Sequence, residues 1–226
     1  MIDLHTHILP GMDDGSKTPT ESEQMLCQLK NQGVDVVVAT PHFYADRESP
    51  REFLQRRQKS FEQLPKSDQQ ILLGAEVAYF SGMSRCEDLP KLCIEDTNLL
   101  LVEMPFENWQ TSIVDEVCMI PRRWGIMPVL AHIDRYCRVP GFSEKVARIL
   151  KNDLMLQCNA DGILPYLSGK KMLQMIRDGM IHFIGSDCHG ITRRAPNMGE
   201  AIAKMKKKLG AEQLQSFCDR AAELLG

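Results

Sequence analysis

The 226-residue sequence lacks several features by which large classes of protein are recognised. No apolar run is long enough to span a bilayer, and the opening MIDLHTHILPG has no basic segment followed by an apolar stretch. We therefore expect neither membrane insertion nor a signal peptide. Acidic and basic residues nearly balance, 30 against 27, so the composition does not point to a nucleic-acid partner.

Paired cysteine patterns are also missing. None of the 8 cysteines falls in a Cys-x-x-Cys pair, and their spacing is irregular. This spacing excludes a zinc ribbon and argues against a secreted disulfide framework. The simplest interpretation is a set of reduced thiols in a cytoplasmic protein.

Short apolar runs and amphipathic stretches alternate along the whole chain, with no internal repeat and no Gly/Ser linker. Nearly continuous apolar runs are typical of strands buried on both faces, as in a parallel sheet. Strands are predicted at residues 2–5, 34–40, 71–77, 99–104, 126–131, 154–158 and 181–185. Helix starts are predicted at Thr18-Pro19 and Ser49-Pro50, and further helices at residues 112–124, 143–151, 169–178, 196–209 and 211–225. The pattern predicts a single domain over residues 1–226, either an α/β barrel or a doubly wound sheet.

Histidines and carboxylates gather at the predicted strand ends. Five of the six histidines lie at, or just beyond, the carboxyl end of a predicted strand, and these are His5, His7, His42, His132 and His189. The carboxylates Glu76, Glu103 and Asp187 occupy the same position on other strands, and Asp14 lies on the first loop. Because strand ends and their loops build the active-site face of a barrel, these side chains are expected to meet there.

This set of side chains favours a metal site. His5 and His7 alternate along a strand and so point the same way, although a lone His-x-His is a weak signal. Imidazole and carboxylate without thiolate suit manganese, iron or zinc. Nine candidate ligands are too many for one ion and suggest two or three, whose surplus positive charge would hold an anion such as a phosphate ester. His182 lies among apolar neighbours inside the last strand and is interpreted as a core residue.

Several motifs, in this order along the chain, resemble the PHP (polymerase and histidinol phosphatase) superfamily, and within it the bacterial capsule-associated, metal-dependent tyrosine-protein phosphatases. They are His5-Thr6-His7, Asp13-Asp14-Gly15, Thr40-Pro41-His42, Gly74-Ala75-Glu76, Val102-Glu103, Ala131-His132-Ile133-Asp134-Arg135 and Ser186-Asp187-Cys188-His189. The resemblance implies a distorted, TIM-like (β/α)7 barrel, the PHP fold.

The resemblance also implies a centre of three metal ions. From the imidazole and carboxylate ligands we expect divalent ions, with Mn²⁺ preferred and iron or zinc as alternatives. Carried over residue by residue, the first ion would be held by His5, His7, Glu76 and Asp187. The second would be held by Glu76, Glu103 and His132, and the third by Asp14, His42 and His189. Arg135 and Arg194 correspond to the two arginines that contact phosphate in this branch, with Arg193 as the alternative to Arg194.

The implied activity is that of a phosphoric monoester hydrolase acting on phosphotyrosine, with attack by a hydroxide that bridges two ions. The implied substrate is an autophosphorylated bacterial tyrosine kinase of capsule or exopolysaccharide biosynthesis. The aromatic residues Phe43, Tyr44, Phe106 and Trp109 lie on the same face and either flank a phenyl ring or pack in the core.

The sequence also leaves other functions open. Cys188 and Arg194 match the Cys-x5-Arg signature of cysteine-dependent tyrosine phosphatases, but 8 cysteines and 14 arginines make a chance match common. The loop also lacks the glycines that cradle phosphate in those enzymes. A histidinol phosphatase and a PHP-type nuclease are further alternatives. An amidohydrolase usually has a lysine where this chain has Glu103. A metal-binding regulator of a kinase, without turnover, is the alternative from a different class.

Overall fold

The computed structural model describes residues 1–106, 109–152 and 154–226. The strands in these residues are β1 (Ile2–Thr6), β2 (Val36–Ala39), β3 (His42–Phe43), β4 (Gln70–Leu73), β5 (Glu76–Ala78), β6 (Leu99–Glu103), β7 (Met127–Leu130), β8 (Met155–Asn159) and β9 (Phe183–Gly185). The α-helices are α1 (Pro19–Asn31), α2 (Pro50–Phe61), α3 (Thr111–Trp124), α4 (Phe142–Leu150), α5 (Ala160–Ile163), α6 (Ser168–Arg177), α7 (Met198–Leu209) and α8 (Ala211–Leu225). Every strand run and every helix predicted from the sequence is present.

The strands form a curled, parallel sheet. One part has the order β1-β2-β4, and the other the order β3-β5-β6-β7-β8-β9. Since β3 continues β2 and β5 continues β4, the nine strands occupy seven positions. A parallel bridge between Thr6 and Cys188 joins the last position to the first. The N–H of Asp187 donates to the carbonyl of His5 at 2.8 Å, which supports this closure. The predicted distorted barrel of seven strand positions is confirmed.

Two predicted strands are each broken into two pieces. Between β2 and β3 lies Pro41, which has no N–H to donate to a ladder. Its carbonyl accepts the N–H of Glu76 at 3.0 Å, so the chain stays in register beyond the break. Between β4 and β5 lies Gly74, where an added Cβ would stand 3.0 Å from the side chain of Ile94. The breaks place His42 and Glu76 at the start of separate short strands near the top of the barrel.

Each helix start predicted from a Ser/Thr-Pro pair is capped, but in two different ways. Ser49 and Glu52 form a reciprocal capping box at the start of α2. At α1 the Thr18 side chain accepts from the N–H of Glu21, while the Glu21 carboxylate accepts from the N–H of Lys17 at 2.8 Å. Glu21 is thereby turned away from the cap and toward the loop that follows β1.

Alternate strand residues point to the inner face of the barrel, and this face changes from apolar to polar toward the carboxyl ends of the strands. On β6 the inner face carries Leu99, Leu101 and then Glu103 toward the carboxyl end, and on β8 it carries Met155 and then Gln157. The apolar members of this face cluster with Leu4, Val38, Val129 and Phe183. The opposite faces of the strands pack against the helices in a larger cluster. The candidate site lies on the polar part of the inner face, at the carboxyl ends of the strands.

None of the helices in the described residues is both long enough and apolar enough to cross a membrane. The expectation that residues 1–226 form one domain stays a prediction.

Candidate metal centre

The nine predicted ligands meet at the carboxyl end of the barrel. Within the described residues, four overlapping groups place one ligand atom of each member within 4.8 Å of the others. The groups are His5 with His7 and Asp187, His5 with Glu76 and His132, His42 with Glu76 and Glu103, and His7 with Asp14, His42 and His189. All nine predicted residues are included.

His5, His7 and Glu76 form the centre of the arrangement and are fully buried. The Nε2 atoms of the two histidines are 3.1 Å apart. Oε2 of Glu76 lies 3.1 Å from Nε2 of His5 and 3.3 Å from Nε2 of His7. Oδ1 of Asp187 lies 3.6 Å and 3.4 Å from the same two nitrogens. Two carboxylates and two imidazoles therefore face one point.

Glu76 also faces a second point, on the side of β6 and β7. Its Oε1 is 2.8 Å from Nε2 of His132, and Oε1 of Glu103 is 3.3 Å from the same nitrogen. Burial alone would lower the pKa of His132, but the charge of Glu76 and the contact with Glu103 raise it to about 9. Glu76 thus contributes one oxygen to each of two neighbouring groups.

A third group lies toward the first loop and is more open. Oδ1 of Asp14 is 3.6 Å from Nε2 of His42 and 3.3 Å from Nε2 of His189. The Asp14 side chain is 67% exposed, whereas that of His189 is 6% exposed. Burial and then the charge of His7 lower the pKa of His189 to about 4, so its imidazole is neutral near pH 7.

Several ligand atoms have no hydrogen-bond partner within the described residues although they are buried. They include both carboxylate oxygens of Glu76, Oδ1 of Asp187, Nε2 of His189 and Nδ1 of His132. Burying an ionised oxygen without a partner costs several kcal/mol, on the order of the desolvation of one ion. The unpartnered atoms lie within the ligand groups, so divalent ions are the partners that fit this chemistry.

Arg135 and Arg194 converge on one oxygen. Nη2 of Arg135 lies 2.5 Å, and Nη2 of Arg194 lies 2.6 Å, from Oδ2 of Asp187. Both arginine side chains are about one-third exposed, at 36% and 34%. Arg193 has no acidic partner in the described part of the chain, and its side chain is exposed. The geometry therefore favours Arg194 over Arg193 as the second arginine beside the ligands.

The backbone of the site is unusual. Of the four non-glycine residues with positive φ in the described residues, three belong to the site: His132 (41°), Asp187 (52°) and Arg194 (51°). Such conformations cost of order 1–3 kcal/mol each and cluster at functional sites. Gly15 shows a related constraint, because an added Cβ would lie 2.3 Å from the carbonyl oxygen of His7. The chain is thus held in a strained, tightly packed arrangement that aims these side chains.

Asp13 is a functional candidate that the sequence analysis missed. Its Oδ2 accepts from Nδ1 of His7 at 2.7 Å and from the N–H of His42 at 2.9 Å. A carboxylate in this position fixes the tautomer of a ligating histidine, so that His7 presents Nε2 to the centre. The available signal was the adjacent pair Asp13 and Asp14, which lies on the loop just after His5 and His7.

Gln157 and Asn159 of β8 were missed as well. Oε1 of Gln157 accepts the N–H of His132 at 2.8 Å and lies 3.5 Å from Nδ1 of His5. Its Nε2 donates to Asn159 at 3.0 Å, and Asn159 donates to Oδ2 of Asp187 at 2.9 Å. Strand β8, which supplies no predicted ligand, therefore supports three of the predicted ligands, His5, His132 and Asp187. The Gln-x-Asn spacing, which matches the spacing of His5 and His7, was the available signal.

The structure also bears on three other interpretations made from the sequence, which concern Cys188, His182 and the aromatic residues. Cys188 is fully buried, and burial raises the pKa of its thiol well above the usual value, which is the opposite of what a nucleophilic thiolate requires. His182 lies in no ligand group of the described residues, and its Nδ1 accepts the N–H of Leu156 at 3.2 Å. Phe43 and Trp109 are core residues, whereas Phe106 is 55% exposed.

Comparison with known proteins gives a consistent result. Residues 1–225 match the family described as capsular polysaccharide synthesis, CpsB/CapC. The tyrosine-protein phosphatase CpsB of Streptococcus agalactiae is 29% identical over 247 aligned residues, which cover 100% of this chain and 98% of the relative. The tyrosine-protein phosphatase YwqE of Bacillus subtilis is 28% identical over 236 residues, which cover 100% of this chain and 91% of the relative.

A solved structure is also similar over the full chain. It is described among crystal structures of YwqE from Bacillus subtilis and CpsB from Streptococcus pneumoniae, called unique metal-dependent tyrosine phosphatases. The TM-score is 0.78 at 25% sequence identity, and the match covers 100% of this chain and 94% of the other.

Proposed function

The chain belongs to the CpsB/CapC family of capsular polysaccharide synthesis, and on that premise we propose that it is a metal-dependent protein-tyrosine phosphatase. One observation carries the proposal. Nine imidazole and carboxylate side chains meet at the barrel end, and two arginines reach the same carboxylate from the open side. Ligands for several cations beside two phosphate-binding guanidinium groups suit hydrolysis of a phosphate monoester.

Three divalent ions account for the ligand set. His5, His7, Glu76 and Asp187 would hold the first, and Glu76 would share the second with Glu103 and His132. Asp14, His42 and His189 would hold the third. His7 and His5 also lie within reach of the neighbouring groups, which supports a continuous trinuclear cluster rather than separate sites. Mn²⁺ is proposed as the preferred ion, with iron and zinc as alternatives, because the ligands are nitrogen and oxygen only.

Bound divalent ions supply a nucleophilic hydroxide near neutral pH and neutralise phosphate charge. The protein contributes orientation and positive charge. Arg135 and Arg194 would each turn part of their guanidinium group from Asp187 to the phosphate oxygens, whose charge must be stabilised during transfer. Asp13 keeps the Nδ1 proton on His7, and Gln157 keeps Oε1 toward Nδ1 of His5.

The leaving group needs little help from the protein. A tyrosine phenol has a pKa of about 10, so the phenolate departs without a strong general acid. Its ring has an aromatic surface available at the mouth of the site, since Phe106 is 55% exposed and its ring stacks on His132 at an interplanar angle of 14°. The ring of Tyr44 lies beside another candidate ligand, with its centroid 5.3 Å from that of His42. These rings favour an aryl over an alkyl phosphate.

The proposed natural substrate is an autophosphorylated bacterial tyrosine kinase of capsule or exopolysaccharide biosynthesis, in the cytoplasm. The support is the capsular polysaccharide synthesis family and the names of the relatives.

The test is a phosphatase assay on p-nitrophenyl phosphate and on phosphotyrosine peptides. The purified protein is treated with chelator and dialysed, its metal content is measured, and single divalent metals are then added back. We expect turnover to be lost when the metals are removed and to recover when Mn²⁺ is added back. Full turnover at near-zero metal content would contradict the metal-dependent mechanism. A protein that binds metal but hydrolyses none of the substrates would favour a non-catalytic role.

A further inference from the structure

A cavity of about 410 Å³ opens beside the third ligand group. Asp14 and His189 of that group line it, and so does Arg194. The remaining wall is formed by Gly15 and Lys17 before α1, by Glu21 in the first turn of α1, and by the loop of residues 190–193. Since the cavity and the proposed phosphatase centre share three residues, atoms next to a phosphate bound at the centre would enter the cavity.

Two cationic side chains in this cavity have donors to spare. The Arg193 side chain is exposed and has no acidic partner in residues 1–106, 109–152 and 154–226. Nζ of Lys17 donates to the carbonyl of Asp13 at 2.8 Å, which leaves two of its three N–H groups for another acceptor. Glu21 also lines the cavity, and one oxygen of its carboxylate accepts the N–H of Lys17 at 2.8 Å. An anion in the cavity would therefore meet donors that are not already committed.

The loop that carries Arg193 is fixed from both sides. The N–H of His189 donates to the carbonyl of Arg194 at 2.9 Å and closes the loop on itself. Nε2 of Gln28 in α1 donates to the carbonyl of Ile191 at 3.3 Å. Arg194 has a φ of 51°. Both arginines line the cavity, but the Arg194 guanidinium is held by Asp187 at 2.6 Å, whereas that of Arg193 has no acidic partner in the described residues.

Resting on the proposed phosphatase function, we propose that Lys17 and Arg193 form a subsite for an anionic side chain next to the phosphotyrosine of the substrate. The anion is the carboxylate of an aspartate or glutamate, or the phosphate of a second phosphotyrosine. Arginine suits both because its planar donors match carboxylate and phosphate oxygens. The subsite would select acidic peptide segments over neutral ones.

The test measures binding to the Mn²⁺-loaded protein, using peptides in which a non-hydrolysable phosphonate replaces the phosphate. The peptides are identical except for one neighbouring position, on either side, which is glutamine, glutamate or a second phosphonate residue. We expect the best anionic peptide to bind about threefold to tenfold more tightly than the glutamine peptide, as for a partly exposed, charge-assisted contact. The anionic peptide with the largest increase in affinity over the glutamine peptide identifies whether the subsite prefers a carboxylate or a phosphate.

Arg193→Gln and Lys17→Gln should each reduce this preference, and the double variant should bring it below twofold. Arg122→Gln is the matched control, because Arg122 is an exposed arginine in the last turn of α3. It should keep the full preference. The proposal is overturned if the parent protein shows less than a twofold preference on both sides, or if the double variant retains it. Failure of the phosphatase function itself would appear separately, as absence of metal-dependent turnover of p-nitrophenyl phosphate.

Discussion

Nδ1 of His7 and Oδ2 of Asp13 are 2.7 Å apart, and this contact decides which nitrogen of His7 faces the ligand centre. Burial alone would raise the pKa of Asp13, but the hydrogen bond and charge of His7 hold it well below its usual value. Asp13 is therefore ionised and holds a proton on Nδ1 of His7, which leaves Nε2 as the nitrogen that would exchange its proton for a metal ion. The role of Asp13 is to position a ligand, since no ligand group among the described residues contains it.

Asp13→Ala should weaken metal binding by about tenfold to a hundredfold, as for loss of a carboxylate that supports a ligating histidine. Asp13→Asn retains an oxygen acceptor and should lose less. The measurement is a titration of the metal-free protein followed by calorimetry. Asp68→Ala, at an exposed acid before β4, is the control. Equal affinities for Asp13→Ala and the control would remove Asp13 from the site.

Glu76 and Asp14 should differ in how many ions depend on them. Glu76 is fully buried and offers one oxygen to each of two groups, whereas Asp14 belongs to one group and its side chain is 67% exposed. We expect Glu76→Ala to lose two of three ions and all measurable turnover, and Asp14→Ala to lose one ion. Metal content by elemental analysis and circular dichroism of each variant check this. Equal losses in the two variants would contradict the shared role of Glu76.

The strand ends could be predicted because short, nearly continuous apolar runs bounded by polar residues indicate strands buried on both faces. The candidate ligands were chosen from their position at those ends, and the structure brings all nine into neighbouring groups. Which ligands share an ion could not be predicted from spacing, because it depends on how the sheet closes between Thr6 and Cys188. His7, for example, lies in two groups, one with Asp187 and one with His189.

Residues that support ligands were harder to find than the ligands. Gln157 and Asn159 carry no metal-binding chemistry of their own, and only the closed barrel brings them beneath His5, His132 and Asp187. Positive φ at His132 and Asp187 also has no sequence signal, because glycine is the residue that normally marks such positions.

Arg194→Ala should impair both binding and turnover. The guanidinium lies 2.6 Å from Asp187 at the open side of the ligand centre, where it would contact phosphate before and during the reaction. We expect kcat to fall by about a hundredfold to a thousandfold, as for loss of one charge-stabilising donor, and KM to rise. Arg194→Lys should recover part of the binding. Steady-state kinetics on one phosphotyrosine peptide give both parameters, and unchanged kcat and KM would exclude a phosphate contact.

Phe106→Ala should reduce the preference for aryl phosphates. The ring is 55% exposed and stacks on His132, so its loss removes an aromatic contact worth about 0.5–1.5 kcal/mol. We expect KM for a phosphotyrosine peptide to rise roughly twofold to tenfold, with a smaller change for an alkyl phosphate. Tyr166→Ala, at another exposed aromatic, is the control. If Phe106→Ala keeps the parent's ratio of aryl to alkyl turnover, the ring does not contact the substrate and only packs within its own loop.

Cys188→Ser separates the metal mechanism from a cysteine mechanism. Cys188 is fully buried between the proposed ligands Asp187 and His189, and burial raises the pKa of its thiol, which disfavours a nucleophilic thiolate. The variant should keep turnover within about tenfold of the parent, a barrier change of about 1.4 kcal/mol. It should also unfold at lower temperature, because a hydroxyl buried in an apolar position costs about 1–3 kcal/mol. Cys27→Ser, at an exposed cysteine, controls for the substitution itself. A Cys188→Ser protein that is folded, carries its full metal content and has no turnover would overturn the metal-based assignment.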